Sequence, residues 1–400
     1  MISENPGQHL FQDLVANANP VEGRAADDSF ISSAEFAAMN VSHEWMIEKT
    51  LVRHEPLILG GPKKSLKTSI VLDLAISLAA GFNTRFLGKF DVKQPYRVGL
   101  ISGESGKATL QQKAEAICKS KGLSLADLPI QWRFSMPKFA DFAQRDEIIE
   151  AVREHRLDIM IFDPMYLFLL TENTSANAGN VLHMGPILQQ VVDTCLPYDC
   201  TPILVHHTKK LGLKDKFRPL DLDDLSQSGF AEFARQWILL SRRTDYQDGS
   251  GLHELWMRCG GSAGHSALWG VNVDEGQYSG GLTGSQWAVH LQTAKDIRDS
   301  KEAQKENTNK TVLANQIEMI VEHLGARPEG DTKTGIREAL NVNSKKITDV
   351  LNGAMKKGIV EEAKVTKNNK TWHGYRLTAH CDAHPDNPDS QDGLECPAEG

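Results

Sequence analysis

The segment Gly60–Ser69, GGPKKSLKTS, gathers the residue types that a triphosphate needs. Small residues let successive backbone N–H groups converge on a phosphate. A lysine reaches the β- and γ-phosphates, and the hydroxyl after it binds Mg2+. From Gly61 to Thr68 the pattern G-x-x-x-x-G-K-[ST] is met at every position but the sixth, where Leu66 stands in place of glycine. Lys67 and Thr68 fall where the lysine and the metal-binding hydroxyl belong. The expected phosphate-binding set is therefore Gly60, Gly61, Pro62, Lys63, Lys64, Ser65, Leu66, Lys67, Thr68 and Ser69. The rival reading is a glycine turn before an ordinary helix. The apolar strand Pro56–Leu59 in front and the apolar helix Thr68–Ala80 behind supply the context that favours a phosphate loop.

Further chemistry gathers at the ends of other apolar runs. Leu157–Pro164, LDIMIFDP, reads as a strand ending in Asp163, whose carboxylate would hold the Mg2+ water shell beside Thr68. Glu104 follows the strand RVGLIS within Ser102–Gly106 and is a candidate to orient and activate a water, against the alternative of a solvated turn glutamate. His206 and His207 end the strand PILV. Either can sense a γ-phosphate through a hydrogen bond, or they divide into one core and one surface histidine. No third ligand at zinc spacing accompanies them.

These residues need elements to hold them. Buried strands are expected at Pro56–Leu59, Arg97–Ser102, Asp158–Phe162 and Pro202–Val205. Helices at Thr68–Ala80, Lys107–Lys119, Asp146–His155 and Ala178–Thr194 alternate with them. Such alternation implies an α/β fold with a mostly parallel central sheet covered on both faces. Leu252–Arg258 and Leu268–Val273 alternate as two more strands around the loop CGGSAGHS. The polar stretch 279–310 reads as a linker. Beyond it, helices at Val312–Leu324, Thr334–Leu340 and Asn343–Lys357 precede strands Ile359–Thr366 and Trp372–Leu377, joined by a turn at Lys367–Lys370. That is the order of a winged helix-turn-helix domain. The expected division is a leader at 1–44, a core at 45–278, the linker, a winged-helix domain at 311–378 and an acidic tail at 379–400.

Taken in order, GGPKKSLKTS, ISGESG, IFDP, VHHTKK and DLSQSGFAEFARQWILLSRR resemble the RepA-like branch of the RecA-fold P-loop ATPases, the AAA-25 type, over residues 45–275. The resemblance implies a RecA-like core that binds ATP and Mg2+, with Glu104 as catalytic base and with His206, His207 and Lys209 in the segment after the fourth strand. It places Arg235 as a candidate arginine finger, with Arg242 and Arg243 as rivals. A finger acts across a subunit boundary, so a homo-oligomeric ring, most simply a hexamer, is implied. In such rings the loop Lys209–Arg218 lines the pore, so Lys209, Lys210, Lys214, Lys216 and Arg218 become candidates for single-stranded DNA phosphates, against a merely solvated loop. In the C-terminal domain Asn343, Ser344, Lys345, Lys346 and Thr348 open the third helix, and Lys364, Lys367, Lys370 and Arg376 lie on the wing. They read as a DNA surface, against the alternative of a protein-interaction module. The implied activity is that of an ATP-hydrolysing DNA motor of the RepA-like helicase type, in replication or mobile-element maintenance. The alternatives are an ATP-switched DNA-binding regulator and a RecA-type recombination mediator.

Bulk composition agrees with a nucleotide enzyme but does not select it. With 40% hydrophobic and 24% charged residues, the chain has the make-up of an ordinary soluble protein. The net charge of −8 excludes a uniformly basic surface. Residues 310–380 nonetheless hold twelve Lys/Arg against eight Asp/Glu, a local excess that suits a DNA patch. No run of apolar residues reaches membrane-spanning length, and the N-terminal residues lack the pattern of a secretory signal. A cytoplasmic protein without a membrane partner is expected. The six cysteines form no C-x-x-C pair and read as free, buried thiols.

Overall fold

The computed structural model describes residues 30–139, 141–168, 181–227, 229–277, 285–367 and 370–378. The chain divides into two compact units, 1–297 and 298–400.

The first unit is built on a nine-stranded sheet. In chain order its strands are β1 (Leu57–Gly61), β2 (Val98–Ser102), β3 (Ile130–Arg133), β4 (Ile159–Asp163), β5 (Thr201–His207), β6 (Gln236–Arg242), β7 (Leu252–Gly261), β8 (Ser266–Asp274) and β9 (Ala288–Thr293). Their order across the sheet is β9-β8-β7-β6-β1-β5-β4-β2-β3. The six strands from β6 to β3 run parallel, and β7, β8 and β9 add antiparallel strands at one side. The main helices are α1 (Lys67–Ala80), α2 (Lys107–Lys121), α3 (Phe142–Glu154) and α4 (Val181–Cys195).

Alternation along each strand assigns residues to the two faces. Leu57, Leu59, Val98, Leu100, Ile159, Ile161, Ile203 and Val205 pack with α1 and α2. Ile58, Ile101, Met160, Phe162 and Leu204 pack on the other face with residues of α3 and α4. The helices follow the same logic. α1 is buried almost all round, as its nearly unbroken apolar run requires. α4 buries Met184, Leu188, Val191 and Cys195, one stripe at helical spacing. Asp141 caps α3, its carboxylate accepting from the N–H groups of Ala143 and Gln144, and Gly122 closes α2 in the left-handed conformation. Buried Asp73 within α1 is fully engaged. It accepts from Leu87 N–H at 2.9 Å and Trp287 Nε1–H at 2.5 Å, and it pairs with Lys121 at 3.3 Å.

The second unit contains most of α5 (Ala294–Gly325), then β10 (Asp331–Thr332), α6 (Lys333–Leu340), α7 (Ser344–Lys356), β11 (Val360–Lys367) and β12 (Lys370–Leu377). The three strands form a sheet ordered β10-β12-β11. Ile317, Ile320, Leu324, Ile336, Leu340, Ile347, Val350 and Leu351 make its core. Asn343 caps α7 by accepting from Lys346 N–H at 2.8 Å.

Two segments differ from the sequence reading. The stretch 279–310, expected to be a linker, supplies strand β9 and the first half of α5. Its Lys, Glu, Gln and Ala content favours a helix even without a buried face, and the Glu306–Lys310 pair at 2.9 Å adds an i,i+4 contact. β3 and β9 were not anticipated, because each is short and only half apolar. The leader through Ser29, the first residues of the helix expected from Ala178, residues 278–284, the Asn368–Asn369 turn and the acidic tail lie outside the described residues. The four described cysteines, Cys118, Cys195, Cys200 and Cys259, are buried and unpaired. No described helix is long and apolar enough to cross a membrane.

Candidate nucleotide site

The chain leaves β1 at Gly61 and turns through Pro62–Leu66 into α1. A Cβ on Gly61 would lie 2.6 Å from Ser65 Oγ and 2.8 Å from the carbonyl oxygen of Leu240, so only glycine fits. Lys64 and Leu66 hold φ at 61°, the left-handed region that glycine enters freely and a side chain resists. The sixth-position glycine of the motif thus answers a conformational need. Leu66 meets that need with strain, and its half-buried side chain packs against the core cluster around α1. Within the loop Ser65 Oγ and Lys67 Nζ both donate to the Pro62 carbonyl, each at 2.8 Å. Lys67 is only 8% exposed. Burial pulls its ammonium down to about 8, while Asp163 and Glu104 act in the opposite direction.

Strand register assembles the rest at the carboxyl edge of the sheet. Gly61 lies beside His207 on β5, and Ser102 on β2 lies beside Asp163 on β4. Alternation turns Ser102, Asp163 and His207 to the face that carries α1. Asp163 is 2% exposed, and burial pushes its carboxyl up to about 6 against the pull of a Thr68 hydroxyl hydrogen bond and the Lys67 charge. Ser102 Oγ, His207 Nδ1 and Thr208 Oγ1 are buried here without a hydrogen-bond partner. An edge with orphaned polar atoms and an under-compensated carboxylate is built to receive a ligand. The Thr68 hydroxyl and the Asp163 carboxylate are hard oxygen donors that suit Mg2+. No group of three or more His, Cys, Asp or Glu able to hold a metal occurs among the described residues, so phosphate and water oxygens must complete such a shell. Glu104 stands half-exposed past the end of β2, with an oxygen 4.0 Å from His207 Nε2. Burial lowers the His207 pKa, with the Lys67 charge adding to it and Glu104 opposing.

The structure separates the histidine pair. His206 points to the opposite face, 1% exposed, stacked on Phe230 with centroids 3.7 Å apart, and its Nε2 is 2.8 Å from the Ser226 carbonyl. Burial drops its pKa to about 4. Adjacent strand residues cannot share a face, so His206 packs in the core while His207 lies on the face of the phosphate loop.

The three arginine candidates also part. β6 runs parallel to β1, with Gln236 level with Leu57, so Arg235 lies at the amino edge, away from the phosphate loop. It is exposed and donates to the Glu232 carbonyl at 3.1 Å. Arg242, at the carboxyl edge, donates to the Lys64 carbonyl at 2.7 Å and so touches the loop directly. Arg243 is buried against Trp256 and bonds Asn272, with Glu254 at 3.5 Å.

In the basic loop after β5, Lys209 donates to the Asp223 carbonyl, Lys216 pairs with Asp245 and Arg218 forms a two-pronged pair with Asp224. Lys210 and Lys214 are exposed. In the second unit Ser344, Lys345 and Lys346 are exposed at the start of α7. Lys367 lies 3.6 Å from Asp331, Arg376 pairs with Glu361 at 2.7 Å, and Lys370 is exposed.

Glu275 escaped the sequence reading. Its carboxylate accepts from Ser69 Oγ at 2.9 Å and Lys113 Nζ at 2.7 Å, and lies 3.3 Å from His253 Nε2. These partners hold it at about 2 despite burial. Glu275 thus ties the first turn of α1 to α2, the helix that follows Glu104. Ser69 and Glu275 are 206 positions apart, and no local pattern links them.

A phosphate loop after one strand, an acidic residue ending a strand two places away, and an intervening strand that comes later in the chain define a RecA-like P-loop ATPase core. Residues 27–212 match the family model described as an AAA domain, AAA_25, and this part of the chain is a P-loop ATPase domain of that family. A KaiC-like protein from the hyperthermophilic archaeon Pyrococcus horikoshii OT3 aligns with 62% of this chain and 94% of its own, at 13% identity and a TM-score of 0.38. No curated protein matches the sequence.

Proposed function

We propose that the chain hydrolyses ATP as a DNA-associated motor of the RepA-like helicase type, acting in replication or mobile-element maintenance as a homo-oligomeric, hexameric ring. The observation that carries the hydrolytic part is the juxtaposition of Thr68 and Asp163 with Glu104, His207 and the phosphate loop on one face of one sheet edge. Lys67, resting on the Pro62 carbonyl, transfers its ammonium to the β- and γ-phosphates when the tail enters. The Thr68 hydroxyl and the Asp163 carboxylate would hold Mg2+, which when bound would supply neutralisation of the phosphate oxygens. Glu104 takes the proton of the attacking water, and His207, one strand from Gly61, hydrogen-bonds the γ-phosphate. The exposure of Arg235 at the far edge of the sheet supports a role at a neighbour's site.

The DNA part rests on composition and placement. The helix order, the α7 start at Ser344–Lys346 and the exposed Lys370 support a winged helix that meets duplex DNA. The ion pairs that occupy Lys216 and Arg218 favour the second reading, an ATP-switched DNA-binding regulator, because they leave few cations to track a strand.

ATP turnover measured with single-stranded, duplex and no DNA tests both. A motor shows stimulation by DNA and loses turnover at least a hundredfold in Lys67→Ala. Turnover that DNA leaves unchanged rules out the motor, and a Lys67→Ala chain that still hydrolyses ATP rules out the site.

A further inference from the structure

At the amino edge of the first unit's sheet lies a second cavity, of about 670 Å3, walled by Trp45, Phe90, His265, Trp269, Lys49 and Lys89. It is bounded by the β7–β8 hairpin tip. Gly261 in that hairpin is level with Gln236, at the start of β6, whereas the phosphate loop follows the opposite ends of the strands. The cavity is therefore separate from the nucleotide site by the length of a strand, roughly 20 Å.

Its chemistry is specific. Trp45 meets His265 edge to face at 5.0 Å, and Phe90 meets Trp269 edge to face at 5.8 Å. These pairs leave half-exposed rings in the wall. Lys89 Nζ rides 4.7 Å over the Trp269 ring, a face rich enough in electrons to hold a cation. The carboxylates of the wall are each paired with a cation: Glu48 with Lys93, itself in the wall, at 3.0 Å and Asp91 with Arg85 at 2.7 Å. Asp296 stands within the field of Lys89. His265 is 8% exposed, and its ring forms the floor of the wall beneath Trp45.

We propose that this cavity binds a nucleotide unit, its planar base stacked among Trp45, Phe90 and Trp269 and its phosphate met by Lys89 and Lys49. Aromatic rings that stack any base, beside lysines that meet the backbone, form the usual recognition set for unpaired nucleotides. A volume in the range of small-ligand sites admits one such unit. The ammonium now over the indole moves aside to the phosphate as the base takes its place. The unit comes from a single strand or from a free nucleotide, and both present the same ring and anion.

Photocrosslinking of the full chain carrying Lys67→Ala, which silences the phosphate loop, separates the sources. One arm uses an oligo-dT octamer with 5-iodouracil, the other 8-azido-AMP, and peptide mass spectrometry locates the adducts. Adducts on Trp45, Phe90 or Trp269 with the octamer identify a strand site, and adducts there with 8-azido-AMP alone identify a free-nucleotide site. Lys89→Glu, an exposed change that leaves folding intact by melting temperature, should cut the yield about tenfold. Adducts absent from the cavity in both arms, or a yield that Lys89→Glu leaves unchanged, would overturn the proposal.

Discussion

Leu66 gives the sharpest test of the loop geometry. Its φ of 61° places a branched side chain where backbone sterics favour glycine, at a cost of about 1–2 kcal/mol. The half-buried side chain recovers part of that through packing, about 1 kcal/mol on the scale for a buried leucine. Leu66→Ala and Leu66→Gly both remove that packing, and they differ by one methyl group. Alanine keeps the strain and glycine releases it, with a gain offset in part by the larger entropy of glycine in the unfolded chain. Leu66→Gly should therefore be more stable than Leu66→Ala by about 1 kcal/mol, near 2 °C in melting temperature for a domain of this size. Urea denaturation of the two variants reads the difference as a shift in midpoint at constant slope. Calorimetric titration with ATP should show that Leu66→Gly binds at least as well as the parent. If the alanine variant equals or exceeds the glycine variant in stability, the left-handed conformation at Leu66 is wrong and the account of the loop fails.

Other consequences follow from the same edge of the sheet. Asp163 has a folded pKa near 6, above its ordinary value, so its contribution to stability is full below about pH 4 and is lost as pH rises through 6. The nucleotide-free chain should lose up to about 3 kcal/mol across that window, and Asp163→Asn should flatten the loss in pH-dependent denaturation while lowering turnover at least a hundredfold. Glu275 is opposite in sign. Its pKa near 2 means that its stabilisation is present above about 4.5 and is lost as pH falls towards 2. Glu275→Gln should cost about 2 kcal/mol at pH 7, and its acid denaturation should begin no higher than that of the parent relative to its own neutral-pH stability. His207→Ala should lower the turnover number about tenfold or more with little change in melting temperature. His206→Ala should do the reverse, since its ring stacks on Phe230 in the core; equal effects on turnover from both would contradict the alternation of β5.

The parts of this protein that could be read from the sequence are those in which neighbours along the chain do the work. A phosphate loop is a run of amides closed by a lysine and a hydroxyl within ten residues, so GGPKKSLKTS announces itself even with a leucine at the strained position. Apolar runs flanked by turn residues reveal buried strands, because a strand covered on both faces has no polar side. That is why β1, β2, β4 and β5, with Asp163 and Glu104 at their ends, could be anticipated. β3 and β9 are half-polar and escaped, and a helix of charged residues such as the start of α5 carries no apolar stripe to mark it.

Tertiary structure decided what depends on direction and distance. The sequence shows two adjacent histidines and cannot say which one faces α1; pleating sends His207 to the phosphate loop and His206 to Phe230. It shows three arginines around one strand, and only the parallel pairing of β6 with β1 puts Arg242 at the loop and Arg235 at the far edge. It holds no trace of the contact between Ser69 and Glu275, because a hydrogen bond made across 206 residues leaves no local periodicity. Local chemistry is written in spacing, whereas the meeting of remote side chains exists only once the sheet has set their register.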